Sequence, residues 1–316
     1  MKKKIVALGG GTGMSALVKS LKDFPADITC VITVSDNGKS TGKLREEFST
    51  PAVGDIRKVL TNLSDLPDDI KNTMEYRFKT YSDLNGHSVG NLVLTALINE
   101  TGSLKESIEK MSVLLDVKEK VLPLSEDNLT LMGEQEDGTI IEGEEEITAH
   151  GHIKRLFYKK DPIVIKEVLT SIKEADLIII SMGSLYTSII PHLICKDVVN
   201  AINKSKAKVM YVCNAMTQPG ETDNFTVSDH LKTLEQYLGK GSIDIVVAST
   251  TKISQHIIDK YRRLEEKDPV IIDADKVKEM GIELIEENLL TIENGTIRHD
   301  SLKLSSLIIS YLINKM

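Results

Sequence analysis

The residues best suited to chemistry come early: Gly9-Gly10-Gly11-Thr12-Gly13, directly after the apolar run Ile5-Val6-Ala7-Leu8. Glycine has no Cβ to hold a ligand away from the backbone. The segment that follows, Met14-Ser15-Ala16-Leu17-Val18, reads as a helix. Its first N–H groups and positive dipole end point back at the glycines. A strand, a glycine turn and a helix N-terminus together make a corner that binds phosphate or pyrophosphate. Gly11 to Ala16 also fits G-x-G-x-x-A, the dinucleotide fingerprint. A second β-branched run, 28–34, ends at Ser35-Asp36. Asp36 thus stands close to where such a fold grips a ribose, roughly 20 residues beyond the glycines. A tight βα turn uses the same glycines without any ligand, and that alternative stays open.

Further along, polar groups cluster where other apolar runs end. The segment from Ser35 to Arg45 is dense in hydroxyls, glycines and cations, including Asp36, Asn37 and Ser40, and reads as a ligand loop. Gly38-Lys39-Ser40 looks like the tail of a P-loop, but Thr33 stands where that pattern needs a glycine. Gly54-Asp55-Ile56-Arg57 opens another helix. A cation such as Arg57 in a first helical turn is unfavourable without an anion nearby, so it points to a ligand or to an ion pair. In Asn85-Gly86-His87-Ser88-Val89-Gly90-Asn91, Ser88 can cap a helix. His87 can act as acid, base or donor, or simply pack in the turn. Met182-Gly183-Ser184 is a second strand–glycine–hydroxyl corner, and Asn214 to Asp223, with Thr217 and Gln218, offers amides and hydroxyls but no obvious nucleophile. Two corners at strand carboxyl ends imply a crevice at a topological switch point. Its expected lining is Gly11, Thr12, Gly13, Asp36, Asn214 and Gln218.

The elements that must hold these groups alternate. Strands are expected at 4–8, 28–34, 176–182, 208–213, 243–248 and 269–273. Helices are expected at 14–22, 88–99, 104–115, 163–174, 193–203, 226–238, 253–265 and 301–314. Short apolar strands between helices mean βαβ units, hence an α/β, Rossmann-like, mainly parallel sheet flanked by helices. One such domain spans 1–316. Residues 117–160 break the pattern and read as a small antiparallel insertion, with strands at 129–132, 138–141 and 146–149. Its seven carboxylates between Glu134 and Glu146 read as a solvated rim. His150-x-His152 would share one side of a strand, too few ligands for a metal.

Composition excludes some partners. Net charge is −8, aromatics are 4% and there is no tryptophan, so general nucleic-acid binding is disfavoured. No apolar run reaches transmembrane length and no signal-peptide core is present, which implies no membrane insertion and a cytoplasmic protein. Cys30, Cys195 and Cys213 are isolated and read as reduced thiols, Cys30 and Cys213 within apolar strands.

Taken in order, the segments 9–13, 36–45, 54–57, 86–91, 183–188 and 214–223 resemble the bacterial gluconeogenesis-factor family, a branch of the 2-phospho-L-lactate transferase superfamily. The match runs from about residue 4 to about residue 302. The resemblance implies a Rossmann-like fold and a cytoplasmic role in cell shape and cell-wall precursor control on gluconeogenic carbon sources. It also implies UDP-N-acetylglucosamine as the ligand and leaves room for a homo-oligomer and for cell-wall regulatory partners. Tyr261 and Arg298 look like the family's UDP-sugar contacts, a ring that stacks on uracil and a fork that grips pyrophosphate. With Gly10 to Gly13, Gly183 and Ser184 they complete the candidate ligand-binding set. The transferase branch moves a lactyl-phosphate onto a deazaflavin with a divalent metal, which would place Mg²⁺ on Asp36 and Asp55. Where that family usually has Asp-Asp-Gly-Gly-Ser-Ser-Gly, this chain has Asp36-Asn37-Gly38-Lys39-Ser40-Thr41-Gly42. The lost carboxylate and the added lysine weaken a Mg²⁺ site. Ser181-Met182-Gly183-Ser184 likewise replaces Gly-Pro-Gly-Ser. Two readings lead: a UDP-sugar-binding regulator, and a metal-dependent transferase of a phosphorylated small molecule. A nicotinamide-dependent oxidoreductase is what the first fingerprint alone would suggest.

Overall fold

Ile5, Val6, Ala7 and Leu8 are consecutive and none is more than 2% exposed. A strand buried on both faces needs a layer on each side and a neighbour at each edge. The computed structural model, which describes residues 2–293 and 295–315, supplies both. β1 (Lys3–Gly9) leads through α1 (Gly11–Leu21) to β2 (Ala26–Ile32). Then come α2 (Lys39–Phe48), α3 (Gly54–Leu63), α4 (Asp68–Glu75), α5 (Val89–Thr101) and α6 (Leu104–Leu114) before β3 (Lys120–Pro123). A smaller unit follows: β4 (Leu131–Gln135), β5 (Ile140–Glu142), α7 (Glu144–His150) and β6 (Ile153–Tyr158). The chain then returns through α8 (Lys166–Glu174) to β7 (Leu177–Ile180) and a π-helical turn, Leu185–Ile189. α9 (Ile190–Leu193), α10 (Lys196–Lys204), β8 (Lys208–Val212), α11 (Val227–Leu238) and β9 (Ile245–Ser249) continue it. It ends with α12 (Gln255–Glu265), α13 (Ala274–Glu279), β10 (Glu283–Glu287), the pair β11 (Leu290–Glu293) and β12 (Thr296–His299), and α14 (Ser301–Lys315).

Seven strands form one sheet in the order β10-β9-β8-β7-β1-β2-β3, parallel throughout. This is the expected α/β class. Helices pack against it and one another, α1 on α3 and α14, and α8 on α10. The order reverses between β1 and β7, so the two glycine corners sit side by side at the switch point.

Several expected elements differ. Residues 269–273 make only isolated bridges, Met216 with Pro269 and Thr226 with Ile271, and the sheet is completed by β3 and β10 instead. The expected loop at 35–45 becomes helical from Lys39. The 193–203 helix is two pieces, α9 and α10. Within 117–160, β3 belongs to the main sheet, while β5-β4-β6 form the small antiparallel one. Residues 146–149 are in α7, not a strand. Glu144, Glu145 and Glu146 fill its first turn, where negative charge meets the positive end of the helix dipole. His150 closes that helix and His152 lies beyond Gly151 with φ +51°, so the two imidazoles share no strand face.

Candidate functional site

The site grows from the switch point. Gly13, in the first turn of α1, lies so close to the end of β7 that a Cβ would stand 1.7 Å from the Met182 carbonyl oxygen. Only glycine lets the two corners meet. Asn214, just beyond β8, locks the second corner: its Oδ1 accepts from Gly183 N–H (3.0 Å) and its Nδ2 donates to Gly183 O (2.7 Å). Ser184 caps the π-helical turn, accepting from Thr187 N–H (2.9 Å), and donates to the buried Glu221 carboxylate (2.7 Å). Between these loops lies a crevice of about 630 Å³.

Its walls come from stretches far apart in the sequence. Gly10 to Gly13 form one side and Asn214, Thr217 and Gln218 another. Asp36 enters after β2. Arg45 of α2 fixes the loop there by donating to the Ser35 and Asp36 carbonyls (2.9 and 2.8 Å), and Gly38 N–H bonds Asp36 Oδ1 (2.7 Å). Tyr261 of α12 and Arg298 of β12 complete the enclosure. The Tyr261 ring is 6% exposed, and its hydroxyl accepts from Ile297 N–H (2.8 Å), which ties α12 to the β11–β12 pair. Arg298 is exposed, and its guanidinium has no ion pair or hydrogen bond among the described residues.

The electrostatics at the glycine corner depart from a bare phosphate cradle. Asp55, at the start of α3, accepts a hydrogen bond from Gly11 N–H, and its carboxylate lies against Gly10 and Gly11. The protein's own anion already meets the helix α1 N-terminus. Burial first, and Asp36 second, push the Asp55 carboxyl up to about 6. Glu144 of α7 faces the same crevice, raised well above the ordinary range by burial and then by Asp36 and Asp55. The run expected to be a solvated rim therefore sends one carboxylate inward. Glu221 is raised by burial too, offset by the Ser184 hydroxyl. Lys58, 3.8 Å from Asp55, Lys267 and Arg298 supply the cations.

Five candidate residues stand outside this crevice wall. Asn37 turns toward the small sheet, accepting from Glu145 N–H (3.0 Å). The other four make a buried chain. Ser40 Oγ is 3.0 Å from His87 Nδ1 and accepts from Asn91 Nδ2 (3.2 Å), and Asn91 Oδ1 accepts from Arg57 Nε (3.1 Å). Arg57 is 0% exposed and ion-paired with Glu75. It lies along α5, against Gly90, rather than at the mouth of α3. Desolvation and then Lys43 lower the His87 pKa, so the ring is neutral at pH 7. This chain joins α2, α3 and α5 behind Asp36 and Asp55. Sequence reasoning missed Glu144, Lys58, Lys267 and His299. Glu144 hid in an acidic run, Lys58 and His299 stood one residue beyond Arg57 and Arg298 without being singled out, and Lys267 had no neighbouring motif.

Relatives place this geometry. The family model of 2-phospho-L-lactate transferase CofD matches residues 5–290. A gluconeogenesis factor of Bacillus subtilis (strain 168) is 44% identical over 313 residues, covering 98% of each chain. The chain belongs to this family, among its gluconeogenesis factors. A putative gluconeogenesis factor of Thermotoga maritima is 43% identical, covering 96% of this chain and 98% of its own. The crystal structure of protein BH3568 from Bacillus halodurans superposes with a TM-score of 0.95 at 41% identity, over 98% of this chain and 100% of that one. The transferase branch of the family raises the question of a divalent metal. Among the described residues no three His, Cys, Asp or Glu side chains converge as a metal would require. Gly11 N–H and Lys58 already engage Asp55. Mg²⁺, however, usually takes only one or two carboxylates together with ligand phosphates, and Asp36, Asp55 and Glu144 in the crevice wall are the residues that would hold it.

Proposed function

We propose that the protein is a cytoplasmic regulator that binds a nucleotide sugar, UDP-N-acetylglucosamine, and serves morphogenesis and cell-wall precursor control during gluconeogenic growth. One observation carries this reading: the unpaired Arg298 guanidinium shares a single crevice with the glycine corner and Tyr261. A pyrophosphate suits Arg298 and Lys58, because Asp55 already takes the Gly11 N–H at the start of α1. The Tyr261 ring offers an apolar face to a base, and Asn214, Thr217 and Gln218 offer polar groups to hydroxyls. A second reading, a metal-dependent transferase of a phosphorylated small molecule, draws on Asp36, Asp55 and Glu144 lining the same crevice.

Calorimetric titration with UDP-N-acetylglucosamine separates the two. Binding is expected to persist in EDTA. Arg298→Ala removes a charge-assisted bond, at a cost of roughly 1.5–3 kcal/mol, or about ten- to a hundredfold in affinity. Asp36→Ala has a smaller effect. Binding abolished by chelation, with Arg298→Ala unimpaired, hands the site to the transferase reading.

A further inference from the structure

A second cavity of about 480 Å³ abuts the crevice on the outer side of α1, with Thr12, Lys58 and Arg298 in the shared wall. Its own surface comes from the exposed face of α1, from α3 and from the start of α14. Three features set its chemistry. Lys19 and Arg298 both line it, and neither makes an ion pair or a side-chain hydrogen bond among the described residues. Of the acids in its wall, Glu75 is ion-paired with Arg57 through Oε2 while its Oε1 has no hydrogen-bond partner, and Asp300 is 3.4 Å from Lys303. In a chain of net charge −8, a pocket with a surplus of unpaired cations is built for an anion. Ser15, a wall residue only 5% exposed, has a hydroxyl with no hydrogen-bond partner. That Oγ is itself closed to solvent, so Ser15 gives the wall a polar character but makes no ligand bond in this rotamer. The third feature is negative. No Phe, Tyr or Trp lines this cavity, so it has no platform for a base, whereas the crevice has Tyr261.

We propose that this second cavity binds the phosphate group of a small phosphorylated sugar or polyol, as a ligand additional to the nucleotide sugar. Lys19 and Arg298 pair with the phosphate, and Asn62 faces the hydroxyl-bearing body. Arg298 serves both cavities, while Lys19 serves only this one.

The test uses the whole chain with glucose 6-phosphate, glucose and UDP-N-acetylglucosamine in separate titrations. Glucose 6-phosphate is expected to bind and glucose to bind at least about tenfold more weakly, for want of charge-assisted bonds. Lys19→Glu, at an exposed position, is expected to weaken glucose 6-phosphate at least tenfold and to leave UDP-N-acetylglucosamine within about twofold. Arg298→Ala weakens both. The proposal is overturned if glucose 6-phosphate fails to bind at millimolar concentration, if glucose binds equally well, or if Lys19→Glu makes no difference. Lys19-dependent binding of glucose 6-phosphate with no binding of UDP-N-acetylglucosamine upholds this proposal and removes the nucleotide-sugar reading.

Discussion

Asp55 is the residue on which the site turns. Its carboxylate meets the N-terminus of α1, yet burial and the neighbouring Asp36 disfavour its charge, with Lys58 and Arg57 opposing them. Its carboxyl is pushed up from the ordinary aspartate value of 3.8 to about 6 in the fold. The folded state therefore holds a proton that the unfolded chain has already released. Stability is lost as pH rises between those values, and the full penalty, about 3 kcal/mol, applies above the folded value. Asp55→Asn keeps an oxygen for Gly11 N–H and removes the charge. It is expected to stabilise the protein by up to that amount near pH 8, with the gap closing near pH 4. Urea unfolding of both proteins at the two pH values measures it, and a gap independent of pH would show that Asp55 is not its source. Tyr261 poses a different question, because it has both a ring and a hydroxyl at work. Tyr261→Phe loses the bond from Ile297 N–H and keeps the ring. If stacking holds the base, UDP-N-acetylglucosamine affinity should fall less than about threefold in Tyr261→Phe, and more than tenfold in Tyr261→Ala.

Among elements, the contact between α1 and the end of β7 decides whether the crevice exists. Gly13→Ala drives a methyl into the Met182 backbone carbonyl, which cannot swing aside as a side chain can. It should cost about 1–3 kcal/mol or more, as overpacking does, and weaken ligand binding. Gly38→Ala meets only side-chain ends, Asp36 Oδ1 at 3.0 Å and Glu145 Oε1 at an ordinary 3.8 Å, and should cost less than about 1 kcal/mol. Melting curves of the two variants make the comparison, and equal losses would refute it. The same elements show what was legible in the sequence. β1, β2, β7, β8 and β9 announced themselves because buried parallel strands are continuous apolar runs. β3 is four residues ending in Pro123, and β10 is an edge strand of Glu283-Leu284-Ile285-Glu286-Glu287, so neither looked apolar enough. α2 opens with Lys39-Ser40-Thr41-Gly42, which has the composition of a loop. Its helix is fixed by tertiary contacts, Arg45 reaching Asn128 as well as the Ser35 and Asp36 carbonyls. The glycine corners and the 214–218 loop could be found from residue type alone. The inward turn of Glu144, and the retreat of Arg57 beneath α5, depend on packing between distant segments. No local pattern encodes that.

At the scale of the molecule, the last helix holds the first. Ser301, which opens α14, donates to the Ala16 carbonyl (2.6 Å) and accepts from Ser20 N–H (3.1 Å), both on α1. Leu304, Ile308, Ile309 and Leu312 carry the buried face of α14. This brace follows directly on β12, so it also anchors the strand that presents Arg298 to both cavities. Burying four large aliphatic side chains is worth about 6–12 kcal/mol, comparable with the whole stability of a typical domain, about 5–15 kcal/mol. Removing residues 301–316 is therefore expected to abolish the cooperative melting transition rather than merely lower it. Leu304→Ala is the graded version. It leaves the Ser301 bonds in place and should cost about 2–5 kcal/mol, with UDP-N-acetylglucosamine affinity within about twofold of wild type once folded. Calorimetric scans and titrations of the two proteins test the brace. A truncated chain that melts cooperatively near the wild-type temperature would show that the sheet and crevice stand without it.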